Sequence, residues 1–492
     1  MALLQVTNLT FAYDGSFDNI FENVSFQIDT DWRLGFTGRN GRGKTTFLNL
    51  LLGKYEYSGT ISAPVRFEYF PFHVENMEKQ TLTVINDILP DGQEWEILRE
   101  LSLLQVSEDV LERPFSSLSN GEQTKVMLAA LFLKENHFLL IDEPTNHLDM
   151  HARKLVSDYL KTKKGFILVS HDRVFLDNCV DHILSINKTN IEIQKGNFSD
   201  WWENKTRQDH YELAENEKLK KDIKRLEEAA KRTNNWSHEV EKTKNGTRNS
   251  GSKVDKGYIG HKAAKMMKRS KSMEQRQHSA AEEKSRLLKN IESHESLKIT
   301  PLSYHKSRLV ELENVSIQYG DKMVCSDLSF TIGQGERIAL SGKNGSGKSS
   351  ILKLICGEEI PNKGTLRKGS QLSISYVSQD TSHLHGTVTD YARNNGLDES
   401  LFKAILRKLD FSRVQFEKDI SSFSGGQKKK VLIAKSLCEK AHLYIWDEPL
   451  NFIDIISRMQ IEELLLEYAP TILFVEHDRA FCENIATKII KL

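Results

Sequence analysis

The sequence predicts an α/β protein in which two tandem copies of one domain are joined by a long antiparallel α-helical hairpin. Two observations carry this reading. The stretch from Leu3 to Trp202 reappears from Leu309 onward at a nearly constant offset, and the segment between the copies resembles neither of them. Gly38 and Gly342 lie 304 positions apart, Ser119 and Ser424 lie 305 apart, Glu143 and Glu448 lie 305 apart, and His171 and His477 lie 306 apart. The expected organisation is a first domain over 1–200, a basic linker over 201–300 and a second domain over 301–492.

Composition sets the class. Of the 492 residues, 39% are hydrophobic and 28% charged, ordinary values for a globular chain. No run approaches the length of about 18 apolar residues that a membrane span requires, and apolar runs such as Phe138 to Ile141 have strand length. The opening Met-Ala-Leu-Leu-Gln-Val has no basic region followed by an apolar core, so it reads as a first strand instead of a signal peptide. A cytoplasmic location with no membrane partner is expected. The five cysteines, Cys179, Cys325, Cys356, Cys438 and Cys482, show no paired spacing and read as core thiols.

Each copy begins its chemistry with a phosphate cradle. Gly38-Arg-Asn40-Gly41-Arg-Gly43-Lys44-Thr45-Thr46 follows the strand-like run Arg33 to Thr37, and Gly342-Lys-Asn344-Gly345-Ser-Gly347-Lys348-Ser349-Ser350 follows Arg337 to Ser341. This is a P-loop: glycines let backbone N–H groups curl around a phosphate, the lysine neutralises it, and the Thr45 or Ser349 hydroxyl ligates Mg²⁺. One copy alone could be a glycine-rich turn, whereas two at equivalent positions point to nucleotide binding.

About a hundred residues later an apolar strand ends in acids, as Phe138-Leu-Leu-Ile-Asp142-Glu143-Pro and as Leu443-Tyr-Ile-Trp-Asp447-Glu448-Pro. An aspartate at that position can hold Mg²⁺, and the following glutamate can face the γ-phosphate and polarise the attacking water. Asp142 and Asp447 are the expected metal ligands, and Glu143 and Glu448 the expected catalytic residues.

Between these elements stand Leu-Ser119-Asn-Gly121-Glu and Phe-Ser424-Gly425-Gly426-Gln427, each opening a helix. Read locally they are helix N-caps. In combination with the P-loops and acids, however, the chain resembles the ATP-binding-cassette superfamily, whose Leu-Ser-Gly-Gly-Gln signature binds the γ-phosphate held by the opposite domain. The resemblance covers both copies and implies a monomer folded into a head-to-tail cassette sandwich around two ATP molecules. It further implies that His171 and His477 are switch histidines contacting the γ-phosphate. By the same resemblance Asp149 and Asp454 couple the two sites, and Tyr13 and Tyr319 stack on adenine, with Phe17 an alternative to Tyr13. Gln379 matches the glutamine that joins the Mg²⁺ shell. The first copy reads Tyr69-Phe-Pro-Phe72 at that place and has no glutamine, while the second reads Glu448-Pro-Leu-Asn-Phe-Ile-Asp where the first has Glu143-Pro-Thr-Asn-His-Leu-Asp. Unequal rates at the two sites are expected.

The linker points to a partner. Lys218 to Asn290 holds 21 Lys and Arg against 9 Asp and Glu, whereas the whole chain is neutral. That excess suggests a polyanion as its target. Leu219, Ile223, Leu226 and Ala230 recur at helical spacing, and so do Met266, Met273, Ala280, Leu287 and Ile291, around a glycine-rich tip from Asn245 to Gly260. Paired cassettes with such an insert, together with Gly196-Asn-Phe-Ser-Asp-Trp201 and Ser170-His-Asp-Arg-Val-Phe-Leu-Asp177, resemble the ABC-F family of ribosome-binding ATPases. The long interdomain segment, the chain ending at the second cassette and the little room for an arm insertion look like the Lsa and Vga type of antibiotic-resistance members. The resemblance implies binding to the exit site of the 70S ribosome, with the hairpin near 23S rRNA and the P-site tRNA. It also implies protection from lincosamides, pleuromutilins and streptogramin A. Two rivals remain: a general ABC-F translation factor, and the ATPase subunit of a drug transporter, which would share the cassette motifs without needing a basic hairpin.

Overall fold

The computed structural model describes the chain except residues 1–2, 14–18, 91, 147, 188–189, 243–260, ten positions between 262 and 278, 280–296, 321 and 344. The first copy contains strands β1 (Leu3–Phe11), β2 (Phe21–Asp29), β3 (Arg33–Thr37), β4 (Ser58–Ser62), β5 (Arg66–Phe70), β6 (His137–Asp142), β7 (Phe166–Val169), β8 (His182–Asn187) and β9 (Asn190–Lys195). The second contains β10 (Arg308–Tyr319), β11 (Lys322–Gly333), β12 (Arg337–Ser341), β13 (Asn362–Lys368), β14 (Ile374–Val377), β15 (Leu443–Asp447), β16 (Ile472–Val475) and β17 (Lys488–Lys491).

The strands divide by composition. β3, β6 and β7 are nearly continuous apolar runs with Leu34, Phe36, Leu140, Ile141, Ile167 and Leu168 fully buried, as expected for parallel strands covered on both faces. They form the middle of a six-stranded sheet of order β5-β6-β7-β3-β8-β9, in which only β9 runs antiparallel to its neighbour. The second copy repeats this as a five-stranded parallel sheet of order β14-β15-β16-β12-β17. Each copy also has a three-stranded antiparallel sheet, β2-β1-β4 and β11-β10-β13. One apolar cluster, around Phe36, Phe47 and Leu140, belongs to the first copy, and two, around Trp446 and Phe474 and around Ile338 and Ile445, flank the sheet of the second. Trp446 Nε1 donates to Ser436 Oγ at 3.0 Å.

This topology positions the chemistry. β6, β7 and β3 are neighbours, so the P-loop after β3, the acids ending β6 and the histidine after β7 emerge side by side at one sheet edge. β15, β16 and β12 do the same for the second copy. Functional groups at the carboxyl ends of adjacent parallel strands are the usual arrangement of open α/β sheets.

The chain separates into two units, 1–201 with 294–492, and 202–293. The first unit holds both copies. The second contains most of the helix Phe198–Lys242, whose 45 residues correspond to a length of about 67 Å at 1.5 Å per residue. Asn197 starts it by accepting from the Asp200 N–H at 2.9 Å, and Ser199 N donates to Asp177 at 2.8 Å. Leu219 and Ile223 are half-buried on this helix, in line with the expected apolar stripe. Lys265 and Lys268 are helical and exposed. The expected tip at 245–260 and the apolar positions Met266, Met273, Ala280, Leu287 and Ile291 lie outside the described residues. Among the described residues, no helix is long and apolar enough to cross a membrane.

Candidate functional site

Backbone geometry prepares both P-loops for an anion. Gly43 and Gly347 adopt φ of 95° and 85°, a left-handed conformation costly for other residues, and a Cβ there would lie 2.5 Å from Ile20 and 2.7 Å from Val324. A Cβ on Gly41 or Gly345 would meet nothing within 4 Å, so those glycines leave space over the loop. The helices that follow, Lys44–Leu51 and Lys348–Cys356, begin without a side-chain cap, which leaves their first N–H groups for a phosphate. Lys44 Nζ donates to the carbonyls of Gly38 at 2.6 Å and Arg39 at 3.1 Å. Lys348 Nζ reaches those of Gly342 and Lys343, both at 2.9 Å. Burial lowers both ammonium groups below the usual lysine value, an effect that nearby carboxylates partly offset.

A hydroxyl and a carboxylate converge beside each loop. Thr45 Oγ1 donates to Asp142 Oδ2 at 3.3 Å, and Ser349 Oγ to Asp447 Oδ1 at 3.1 Å. Burial raises both aspartates above the usual carboxylate range. Among the described residues no cluster of three or more His, Cys, Asp or Glu could hold a metal. A hydroxyl plus one carboxylate fits Mg²⁺, which takes one or two protein oxygens and completes its shell with phosphate and water. The donor set and the open cradle therefore fit Mg-ATP.

The glutamates are held in strained backbone. Glu143 and Glu448 have φ of 51° and 47°, rare for a non-glycine residue, and their N–H groups are pinned to Val169 O at 2.9 Å and Val475 O at 3.0 Å. The turn aims each carboxylate at its histidine: His171 Nε2 lies 3.4 Å from Glu143 Oε1, and His477 Nε2 lies 3.4 Å from Glu448 Oε1. Beyond that the pair diverges. Glu143 Oε1 is buried without a hydrogen bond, and burial, with the Asp142 charge, pushes its carboxyl up to about 8. Burial and the Lys44 charge keep His171 well below the usual histidine value. Glu448 Oε2 accepts from Gln379 at 2.7 Å and from Asn451 at 2.6 Å. Burial would raise Glu448, but its bond to His477 and the His477 charge, with the Gln379 amide, more than offset this and hold it below the usual range.

Both signature turns are capping boxes that also face the opposite copy. Glu122 N donates to Ser119 Oγ and Gln427 N to Ser424 Oγ, with Glu122 and Gln427 returning to the serine N–H groups at 2.8 and 3.0 Å. Ser119 and Gly121 line a cavity of about 890 Å³ together with Gly345, Gly347, Lys348, Ser349, Ser350, Gln379, Glu448 and His477. Across the other side, Asn40 Nδ2 of the first P-loop donates to Phe452 O at 2.8 Å, and a Cβ on Gly426 would lie 2.9 Å from that amide nitrogen. Gly425 stands against the Phe452 ring. Each P-loop is thus opposed by the signature of the other copy. Tyr13 and Tyr319 bond Thr46 Oγ1 at 2.8 Å and Ser350 Oγ at 3.2 Å, with rings 43% and 46% exposed and so available to a base. Asp149 and Asp454 cap the helices Met150–Thr162 and Ile455–Tyr468, and buried Asp454 also accepts from Lys430 at 2.7 Å. Asn344 and Phe17 lie outside the described residues.

Several contacts between the copies were not foreseen from the motifs. Arg173 forms a two-pronged bridge to Glu462 of the other copy at 2.9 and 2.8 Å, Arg39 and Arg42 approach Asp410 at 3.6 and 3.4 Å, and Arg153 donates to His477 O at 3.3 Å. The recurrence of Arg153 at Arg458, with the offset of the other motifs, is the one signal that could have found it.

Comparison with known proteins agrees with this geometry. The profile described as "ABC transporter" matches residues 21–146 and 325–451. The chain is 29% identical to the ribosome protection protein VmlR of Bacillus subtilis (strain 168), over 97% of this chain and 85% of that protein. It is 26% identical to the energy-dependent translational throttle protein EttA of Escherichia coli (strain K12), over 96% and 89%. The archaeal ribosome recycling factor aABCE1, solved in complex with the stalk protein aP1, shares its fold with a TM-score of 0.64 at 18% identity, over 98% of this chain and 87% of that one.

Proposed function

Because the chain belongs to the ABC transporter family and is an ATP hydrolase of the tandem-cassette kind, we propose that it is an ABC-F protein that binds the ribosome and cycles on it by closing and opening two ATP sites. The observation that carries the enzymatic part is the pairing of each P-loop with the opposite signature turn, seen at the cavity that joins Ser119 to Lys348 and at the Asn40 to Phe452 contact. ATP bound there would touch both cassettes and hold them together. Glu448, ionised and oriented by Gln379 and Asn451, is suited to polarise a water beside the γ-phosphate, while His477 supports it. Lys348 and the uncapped helix start bind phosphate charge. Mg²⁺ at Ser349 and Asp447 would supply further neutralisation of the triphosphate. Glu143, His171, Lys44, Thr45 and Asp142 would do the same in the first site.

The ribosomal assignment is supported by the relatives that are named for ribosome protection and translational throttling. The basic excess between Lys218 and Asn290 supports it independently, because a dozen surplus positive charges suit rRNA or tRNA. The finer reading is protection of the peptidyl transferase region from lincosamides, pleuromutilins and streptogramin A. It is tested by translation in a cell-free system inhibited by lincomycin or tiamulin: added protein should restore synthesis, and no rescue at saturating ribosome occupancy would leave only the general translation factor. Replacing Lys253 to Gly260 by a short Gly-Ser turn should keep ribosome binding and ATPase activity while removing the rescue.

A further inference from the structure

The first cassette lacks the glutamine of the second, and a tyrosine of the preceding strand bonds its metal-side aspartate instead. The strand registers align the two copies at this point: Phe70 pairs with Ile141 in β5 and β6, and Val377 pairs with Trp446 in β14 and β15, each pair just before the aspartate. Phe72 is therefore the positional equivalent of Gln379, and Tyr69 that of Tyr376. Phenylalanine has no polar atom to offer. Three residues earlier, however, the Tyr69 hydroxyl donates to Asp142 Oδ2 at 2.9 Å, the same oxygen that accepts from Thr45 at 3.3 Å. The Tyr69 ring is itself fixed, half-buried, with Lys54 Nζ 5.6 Å from its centroid. In the second cassette the arrangement is reversed. Gln379 bonds Glu448, Asp447 accepts from Ser349 through its carboxylate, and the buried Tyr376 hydroxyl makes no hydrogen bond.

We propose that Tyr69 is a positioning residue of the first ATP site, fixing the Asp142 carboxylate beside Thr45 in the cassette that has no glutamine to join the metal shell. A carboxylate held by one hydroxyl can rotate about its last bond, whereas two donors on one oxygen set its plane and leave the other oxygen for the metal. Partners that orient a metal ligand in this way typically change metal affinity by about 10- to 100-fold when removed. Tyr69 therefore acts through Asp142 and not on ATP directly. The inference rests on the proposed Mg-ATP site, and its test separates the two.

The full chain carrying Lys348→Ala, which disables the second P-loop, is loaded with ATP and titrated with Mn²⁺, read by electron paramagnetic resonance. One Mn²⁺ per chain is expected with Tyr69 intact; none would overturn the metal site and this inference with it. Tyr69→Phe keeps the ring and removes only the hydroxyl, so the fold should survive with an unchanged melting temperature. It is expected to weaken Mn²⁺ binding about tenfold while ATP binding in EDTA stays the same. Unchanged Mn²⁺ affinity would overturn the proposal. In the mirror chain, Lys44→Ala with Tyr376→Phe, Mn²⁺ affinity should not move, and an equal loss there would also overturn it by showing that the hydroxyl matters wherever this strand tyrosine occurs.

Discussion

The two ATP sites share their motifs in the same order and differ in what surrounds the glutamate. In the site built on the first P-loop, Glu143 is buried with an oxygen that finds no hydrogen bond, and its carboxyl is pushed up to about 8. In the other, Glu448 is bonded by two amides and kept ionised. The first P-loop contacts the facing cassette through Asn40 and Phe452, with Arg39 and Arg42 drawn to Asp410, and the second lines a cavity of about 890 Å³ across which Arg153 donates to His477 O. A general base works best when its carboxylate is free of its proton and aimed at the water. The comparison teaches that equal motifs can sit in unequal surroundings: the partners of each glutamate come from residues outside its motif. These surroundings lead to the prediction that turnover runs chiefly at the site of Lys348 and Glu448.

The largest effect should come from removing both carboxylates. Glu143→Gln with Glu448→Gln is expected to lower ATPase activity by about 100-fold or more while ATP still binds, so that the protein sediments stably with ribosomes in ATP. Normal hydrolysis by the double variant would break the assignment of both residues.

The contacts between the copies should be unequal in stability as well. Removing one partner of a buried ion pair costs about 3–5 kcal/mol, and the Arg173 and Glu462 side chains are only 15% and 7% exposed. Arg173→Ala should therefore lower stability by several kcal/mol in denaturant unfolding. Arg479, its equivalent in the second copy, is exposed and, among the described residues, pairs with Glu483, so Arg479→Ala should change stability by no more than about 0.5 kcal/mol. Equal losses would remove the asymmetry.

The raised Glu143 carboxyl has a linkage signature. Between the ordinary glutamate range and about 8 the native state binds a proton that the unfolded chain has released, so stability falls as pH rises through that window. Glu143→Gln removes this loss. Its melting temperature should exceed that of the parent clearly at pH 9 and hardly at pH 5, and a gain independent of pH would place the effect elsewhere.

The smallest effect concerns the linker, where the comparison is with the cassettes as a whole. Neutralising Lys262, Lys265, Lys268 and Arg269 should flatten the dependence of log affinity on log salt for ribosomes by up to about three without altering ATP binding. An unchanged slope would mean that these residues face solvent in the complex.

How much of this was legible in the sequence follows from the range of each interaction. The P-loops, the strand-end acids and the signature caps are set within a few residues by glycine dihedrals, strand length and capping chemistry, and Ser119, Lys44 and Glu143 stand where those rules put them. Helix around Leu219 and Ile223 was expected from apolar spacing, and those two residues are half-buried within the helix Phe198–Lys242. Arg173 with Glu462 and Arg42 with Asp410 join residues 289 and 368 positions apart, and only the docking of one cassette on the other brings them together. Tyr69 carries no motif signal, because the position of the missing glutamine is Phe72, while the hydroxyl that reaches Asp142 comes from β5, three residues earlier. The contrast between Glu143 and Glu448 needed burial and side-chain partners, which no motif records.

The most direct test of unequal sites is the steady-state ATPase rate of the two single variants in the intact chain, compared with the parent at neutral pH. Glu448→Gln should lose about tenfold or more, and Glu143→Gln should keep at least about half of the parent rate. The reverse order, with Glu143→Gln the more damaging, would contradict the account.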